Sequence, residues 1–288
     1  MKVKLKQKKI AFVQLLVWLT PTVEAAPRPS EQLTTPTASY QALSGAGAAA
    51  PGDVSQMDAN PAILPALTKQ YTLFGGTSWE THPDLLEAGV FDSMTSPVAA
   101  ALRIRQTIPE TPLSRDRRAT LAMAYQLPRS GWSIGAMGDY EQLKVDGLTN
   151  EEETNAFGGV GVFYNMKKPN LPPLFAGVGV THLGDSFDPT RYDVGLGTSL
   201  NAYDLSIDAL ADDDGGFKAY TGGLGIRANN FLELKASLGY NTEGERSFWG
   251  AGAFFKAPVL HLFYTLGKPD QDDAKVRQFL GLELSFSI

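Results

Sequence analysis

Residues 232–240 read Leu-Glu-Leu-Lys-Ala-Ser-Leu-Gly-Tyr and show the clearest alternation of residue types in the chain. Apolar residues occupy every second position, so an extended strand places Leu232 and Leu234 on one face and Glu233 and Lys235 on the other. A helix would scatter these residues around its circumference. The stretch therefore predicts a β-strand with one apolar and one polar face.

The same two-residue period recurs along most of the chain, from about residue 70 to the end. It indicates fourteen segments of 8–13 residues, close to the length of about 9–11 residues that a tilted bilayer crossing needs. They lie near residues 70–79, 86–93, 97–107, 117–127, 131–142, 154–166, 173–183, 190–200, 203–210, 216–227, 231–240, 246–256, 258–267 and 276–288. We therefore predict an all-β fold, an antiparallel transmembrane β-barrel of fourteen strands. Twelve strands is the alternative, because residues 86–93 alternate poorly.

The connections between these segments alternate in length and charge. Those after even-numbered strands are short, as at residues 128–130 and 228–230, whereas those after odd-numbered strands carry most of the acid, as at residues 151–153 and 212–214. Short turns at one end and longer loops at the other are typical of outer-membrane barrels.

Aromatic residues support a membrane location for the apolar face. Nine of the ten Tyr fall on that face, most of them near strand ends. An aromatic ring with a polar atom prefers the membrane–water boundary. The alternative is a soluble β-sandwich, which would bury these tyrosines in a core where each hydroxyl needs a partner.

The amino terminus has the pattern of a secretory signal peptide over residues 1–25. Five Lys precede the apolar run of residues 10–19, and Ala25 follows an A-x-A-like pattern at the cleavage site. Its removal lowers Lys+Arg from 25 to 20 and Asp+Glu from 31 to 30, so the mature net charge is about −10. This charge argues against a nucleic-acid partner, which would need a basic surface.

The residue inventory disfavours enzymatic and metal chemistry. The chain has no Cys and only three His, none of them in an H-x-x-x-H pair. His182 lies near Asp185 and Ser186, which leaves a hydrolase as a remote alternative, because a triad needs a base, a nucleophile and an acid within reach. We expect no enzyme activity, no metal site and no cofactor.

Two different pieces precede the barrel. Residues 26–39 are rich in Pro, Ser and Thr and are expected to form a linker. Residues 40–67 are rich in Ala and Gly and form a separate segment before the barrel, which we place at residues 68–288.

Residues 45–67 read GAGAAAPGDVSQMDANPAILPAL. A Gly/Ala-rich stretch, an acidic residue and then Asn60-Pro61-Ala62 just before the first strand resemble the start of the FadL-like family of outer-membrane hydrophobic-compound transporters. The resemblance implies a fourteen-stranded barrel with residues 40–67 tucked into its lumen as a hatch. It makes Asn60, Pro61 and Ala62 the candidate lumen gate. The short acidic connections here differ from the long outer loops of that family.

The polar strand faces carry charges that a barrel would turn toward its lumen. Such charges must be paired or hydrated, and Arg103 and Arg105 are expected to meet inward-facing acids. The candidate lumen charges are Arg103, Arg105, Asp139, Asp204, Asp208, Glu233 and Lys235. They either line a channel or lock it closed.

These patterns lead to one main functional hypothesis and one principal alternative. The main hypothesis is passive transport of small hydrophobic molecules across the bacterial outer membrane, with outer-membrane lipid around the barrel and the barrel-assembly machinery as a partner during biogenesis. The alternative is a non-transporting barrel that serves as a scaffold or assembly partner for exported proteins.

Overall fold

The computed structural model describes residues 48–49, 54–67, 69–79, 83–108, 114–145, 152–167, 170–184, 189–213, 216–242, 244–268 and 276–286. The predicted signal peptide and linker lie outside these residues. None of the helices among the described residues is long and apolar enough to cross a bilayer.

Fourteen antiparallel strands form one closed barrel, in which each strand pairs with its neighbours in sequence and β1 pairs with β14. The strands are β1 (Tyr71–Trp79), β2 (Pro83–Asp92), β3 (Val98–Thr107), β4 (Ser114–Gln126), β5 (Trp132–Val145), β6 (Glu152–Met166), β7 (Leu174–Gly184), β8 (Arg191–Leu200), β9 (Tyr203–Asp212), β10 (Phe217–Arg227), β11 (Leu232–Asn241), β12 (Arg246–Lys256), β13 (Leu260–Lys268) and β14 (Arg277–Phe286). The predicted count of fourteen is confirmed, and the alternative of twelve is wrong.

The barrel closes where its first and last strands meet. Tyr71 lies opposite Phe286 and Trp79 lies opposite Gln278, with unbroken pairing between them. Inside this seam, the phenyl ring of Phe279 on β14 lies over Gly76 of β1, where a side chain on the glycine would collide with it. The ring is fully buried.

The two faces of each strand point as the two-residue period predicts. On β11, Leu234, Ala236, Leu238 and Tyr240 are exposed on the outside, whereas Glu233, Lys235 and Ser237 are buried inside. Leu238 is 71 % exposed. An outward apolar surface of this extent needs hydrocarbon around it, so the sandwich alternative is wrong.

One end of the barrel is defined by short connections, such as residues 201–202 after β8 and residues 257–259 after β12. We call it the short-turn end; odd-numbered strands begin there and even-numbered strands finish there. Aromatic pairs flank the apolar surface, with Trp132 and Tyr164 at the short-turn end, 4.5 Å apart. At the opposite end Phe217 and Tyr220 lie 5.6 Å apart.

Two short 3₁₀ helices precede β1 and lie inside the barrel. They span Val54–Asp58 and Pro61–Ala66, and the second of them packs mainly against β4, β5 and β6. We call residues 54–67 the plug. Its apolar residues Val54, Met57 and Leu64 form a buried cluster with Phe91 and small residues of β3 and β4.

Candidate gate in the barrel lumen

Asn60 holds the plug together and attaches it to the barrel wall. Its side-chain oxygen accepts a hydrogen bond from the Ala62 amide at 3.0 Å, which caps the second 3₁₀ helix. Its side-chain amide donates to the carbonyls of Ala48 at 3.0 Å and of Val162 on β6 at 3.1 Å. Pro61 starts the helix, where its missing N–H costs nothing. Asn60, Pro61 and Ala62 are all buried in the lumen.

A row of inward-facing glycines on neighbouring strands forms the surface on which the plug rests. A methyl group at Gly161 on β6 would collide with the Asn60 side chain, and one at Gly179 on β7 would collide with the Ala59 carbonyl. At Gly177 it would meet the Ala48 carbonyl. Gly135 on β5 lies in the same way against the Ala62 backbone. Glycine is required at these positions because the preceding segment approaches the strands too closely for a Cβ atom. We call Gly135, Gly161, Gly177 and Gly179 the glycine seat.

Asp58, at the end of the first 3₁₀ helix, joins the plug to β3 through a two-point ion pair. One oxygen accepts from Nη1 of Arg103 at 2.9 Å, and the other accepts from Nη2. Nη1 of Arg105 lies 3.9 Å from the same carboxylate. Burial favours the protonated form of Asp58, but the two guanidinium groups outweigh it and lower its pKa from 3.8 to about 2.

This pairing differs from the one expected from sequence. Arg103 and Arg105 were expected to meet barrel acids such as Asp139, but their carboxylate partner at this position is Asp58 of the plug. Asp139 instead accepts a hydrogen bond from Thr120 on the neighbouring strand. The sequence offered one indication of this role, since Asp58 is an acidic residue two positions before Asn60 in the hatch segment.

The remaining predicted lumen charges also face inward. One of them lies beside the plug, and the other three lie at the short-turn end. Asp208 accepts a hydrogen bond from the Ala48 amide at 2.9 Å, so it contacts the chain that leads into the plug. Asp204, Glu233 and Lys235 lie at the short-turn end, where Asp204 pairs with Arg227 at 3.2 Å.

A recess of about 360 Å³ opens at the short-turn end beneath the plug. Its apolar part includes Leu67, which follows the plug's second helix, and Phe175, whose ring stacks on Phe163 at 6.1 Å. Its polar part includes Lys167, Arg227, Lys235, Lys256, Asp204 and Glu233. Sequence reasoning found only three of these six charges, since Lys167, Arg227 and Lys256 stand at strand ends where the two-residue period is weakest.

On β12, β13 and β14, inward-facing phenyl rings line the lumen. Phe254 and Phe263 lie 5.9 Å apart, and Phe263 and Phe279 lie 6.3 Å apart with nearly parallel planes. The second 3₁₀ helix of the plug contacts β3–β7, and the apolar cluster of the plug also includes Phe91 of β2, whereas these rings stand on β12–β14. The lumen therefore has a polar, glycine-rich side that holds the plug and an aromatic side.

Two of the three histidines, His182 and His261, lie among the described residues. Nδ1 of His182 lies 3.3 Å from the carbonyl of Pro189, and Asp185 and Ser186 lie outside the described residues. His261 lies 3.1 Å from Glu283. Within the described part of the chain, no cluster of three or more His, Asp or Glu is placed to hold a metal ion.

The fold matches solved outer-membrane transporters. The chain is similar to the toluene transporter TbuX of Ralstonia pickettii, with 12 % identity, 89 % of this chain and 100 % of that chain covered, and a TM-score of 0.67. It is also similar to the toluene transporter TodX of P. putida, with 11 % identity, 86 % and 97 % covered, and a TM-score of 0.60. No family model matches the sequence, and no curated protein is similar enough to count as a relative.

The resemblance of residues 45–67 is confirmed at the level of the fold, because the chain forms the fourteen-stranded barrel which that resemblance implies.

Proposed function

We propose that this barrel of FadL type is a passive channel for small hydrophobic molecules in the bacterial outer membrane, and that the plug is its gate. The observation that carries the proposal is the seating of the plug. A folded segment stands inside a closed barrel and is joined to it by an ion pair at Asp58, the side-chain amide of Asn60 and apolar contacts. All of these contacts are non-covalent, and the plug can leave them without breaking the barrel ladder.

The glycine seat supports movement rather than permanent attachment. It gives the plug a surface that is smooth and free of side chains, so few side chains interlock at this contact. The polar contacts of Asp58 and Asn60 and the apolar cluster around Met57 hold the plug, and elsewhere it rests on bare backbone. Loss of the polar contacts would leave only the apolar contacts to hold it against the wall.

The aromatic side of the lumen suits an apolar solute. Phe254, Phe263 and Phe279 form a buried cluster of inward-facing rings that makes the wall apolar on β12–β14. The neighbours TbuX and TodX are described as toluene transporters, which agrees with an apolar cargo.

We expect the protein to reside in the outer membrane, on the grounds of its sequence pattern and its fold. The signal peptide of residues 1–25 would export the chain, barrel-assembly machinery would insert it, and the apolar outer surface would contact outer-membrane lipid. The short-turn end would face the periplasm, because periplasmic turns are short in such barrels.

The test compares Asp58→Asn with Asp213→Asn, a carboxylate in the exposed connection after β9 that contacts Thr190 and Tyr192 rather than the plug. Each variant is reconstituted into vesicles whose outer leaflet is lipopolysaccharide, which slows the unaided entry of toluene. Toluene entry is followed by fluorescence quenching of an enclosed reporter, and ion conductance is recorded in planar bilayers. Asp58→Asn should raise both readouts, and Asp213→Asn should match the parent protein.

If folded parent and folded Asp58→Asn both conduct no ions and pass toluene no faster than empty liposomes, the channel is rejected. The scaffold for exported proteins would then be the better explanation. Folding is checked independently by the heat-dependent migration on gels that closed barrels show.

A further inference from the structure

A shallow groove of about 900 Å³ lies on the outer surface of the barrel, between β7 and β12. Outward-facing apolar side chains surround it, among them Ile207, Leu224 and Leu238. Its floor lies at Gly222 in the middle of β10, where a Cβ atom would have no neighbour within 4 Å among the described residues. We call this depression, on the face that the barrel turns toward the membrane, the outer groove.

Leu238 protrudes beside the outer groove. It is 71 % exposed, more than any other large apolar residue in the described part of the chain. It lies directly opposite Gly222 in the pairing of β10 with β11. One surface thus carries its most prominent side chain and the floor of its groove side by side.

Nothing in the described part of one copy accounts for the glycine at position 222. The glycines of the seat are needed because the segment before β1 approaches them, whereas Gly222 faces outward with open space around it. A glycine inside a strand weakens that strand, and it commonly marks a place where another backbone or a ligand comes close. The geometry at Gly222 therefore indicates a partner that approaches the barrel from outside.

We propose that this face binds a second copy of the chain, with Leu238 of each copy seated in the outer groove of the other. A two-fold contact needs a surface that complements itself, and a projection beside a depression meets that need. Two copies in one membrane have the same orientation, so their two-fold axis runs along the membrane normal and contacting residues must lie at similar depth. Gly222 and Leu238 satisfy this condition, because they are paired neighbours near the middle of their strands.

The fit of projection and groove favours a second copy over a fluid acyl chain, which needs no matching shape. Between surfaces that face hydrocarbon, association depends on packing, because lipid tails are as apolar as the side chains. A fixed side chain that fills a fixed depression supplies such packing. The area is sufficient as well, since four strands about 4.8 Å apart in an apolar band about 25 Å tall offer about 500 Å² per copy. Two copies then bury about 1,000 Å², the size at which specific interfaces begin.

The first test measures the mass of the purified full-length chain in detergent by native mass spectrometry. Gly222→Trp fills the outer groove. Its matched control is Gly138→Trp, because Gly138 also faces outward with open space but lies on β5. Leu238→Ala removes the projection, and Ile104→Ala removes another well-exposed side chain from the outer face, on β3. Heat-dependent migration on gels confirms that each variant is a folded barrel.

The parent protein and the two controls should be dimers, whereas Gly222→Trp and Leu238→Ala should be monomers. A second readout is made in native membranes and decides the matter if detergent separates the copies. Because the chain has no Cys, a single Leu224→Cys should form a disulfide-linked dimer under copper-catalysed air oxidation. Met123→Cys, which faces outward on β4, should not.

A parent protein that is monomeric in detergent, with no cross-link through Leu224→Cys in membranes, would overturn the proposal and leave lipid as the occupant of the outer groove. A dimer without that cross-link would place the contact elsewhere and overturn it too. So would an equal loss of dimer in Gly222→Trp and Gly138→Trp, since the effect would not depend on the groove. The proposal does not rest on the proposed channel, because the outer groove faces the membrane and the plug lies in the lumen.

Discussion

Asp58 and Arg103 are 45 residues apart in sequence, yet they form a two-point ion pair across the lumen, with one contact at 2.9 Å. Arg103 is 1 % exposed. A carboxylate on the plug is thereby joined to a guanidinium on the membrane-spanning wall. Because the contact requires an ionised Asp58, protonation of that carboxylate would weaken the attachment of the plug to the wall.

Acid should release the plug. The pKa of Asp58 is about 2 in the folded chain and about 3.9 in an unfolded one, so the ion pair contributes its full stability above pH 4 and loses it as the pH falls toward 2. Conductance in planar bilayers should therefore rise between pH 4 and pH 2. Asp58→Asn should be open across that range and show no such rise. A parent protein whose conductance stays constant down to pH 2 would show that the ion pair of Asp58 and Arg103 does not hold the plug.

Filling the glycine seat should displace the plug. Gly179→Leu places a side chain where the Ala59 carbonyl lies, so the plug must shift and the conductance should increase. Gly222→Leu is the matched control, because Gly222 is outward-facing on β10 and has open space around its Cβ position. Identical conductance of the two variants would show that the plug does not rest on β7.

Charge should be tolerated differently on the two faces of β11. Ala236 is exposed outside near the middle of the strand, and its neighbour Ser237 is buried inside. Ala236→Arg should lower the free energy of unfolding in lipid vesicles by about 2–4 kcal/mol. Ser237→Arg should cost less, because its guanidinium can reach the polar lumen. Equal losses would mean that the outer face of β11 does not contact lipid.

Removing the end of β14 should prevent assembly. Deletion of residues 284–288 takes away Leu284, which pairs with Leu73 on β1 and Leu260 on β13. The freed backbone groups would lie in hydrocarbon, at several kcal/mol each. Membrane fractionation should find no inserted protein, whereas deletion of residues 26–39 should leave insertion normal. Full outer-membrane levels of the shorter chain would show that the barrel does not need this seam.

The barrel could be predicted from the sequence because each strand carries its own evidence. On β11 and β14 the alternation of apolar and polar residues follows from lipid on one side and the lumen on the other. Strand β2 has the weakest alternation in the sequence, and it begins at Pro83 rather than near residue 86. The predicted start was wrong because two adjacent apolar residues, Leu85 and Leu86, interrupt the two-residue period. Local pattern therefore gives the number of strands better than their ends.

The gate was only partly predictable. The resemblance identified Asn60-Pro61-Ala62. The capping contact of Asn60 is made with a residue two positions away, so the local sequence is enough to predict it. The partner of Arg103 was not found, because Asp58 reaches it only once the plug is folded inside the closed barrel. The glycine seat was also missed, since an inward glycine in a strand gives no sign of what approaches it.

The ring of Phe279 has a consequence for the order of assembly. It lies on the last strand of the chain and covers a glycine of the first, so its burial requires both ends of the sheet. A partly formed barrel with β14 unpaired from β1 would leave this phenyl uncovered on that side. Burying a phenylalanine contributes about 1.5–3 kcal/mol, part of which is gained only when the two strands join. Part of the hydrophobic free energy is thus gained only at the final step of closure, and reopening of that seam would lose it again.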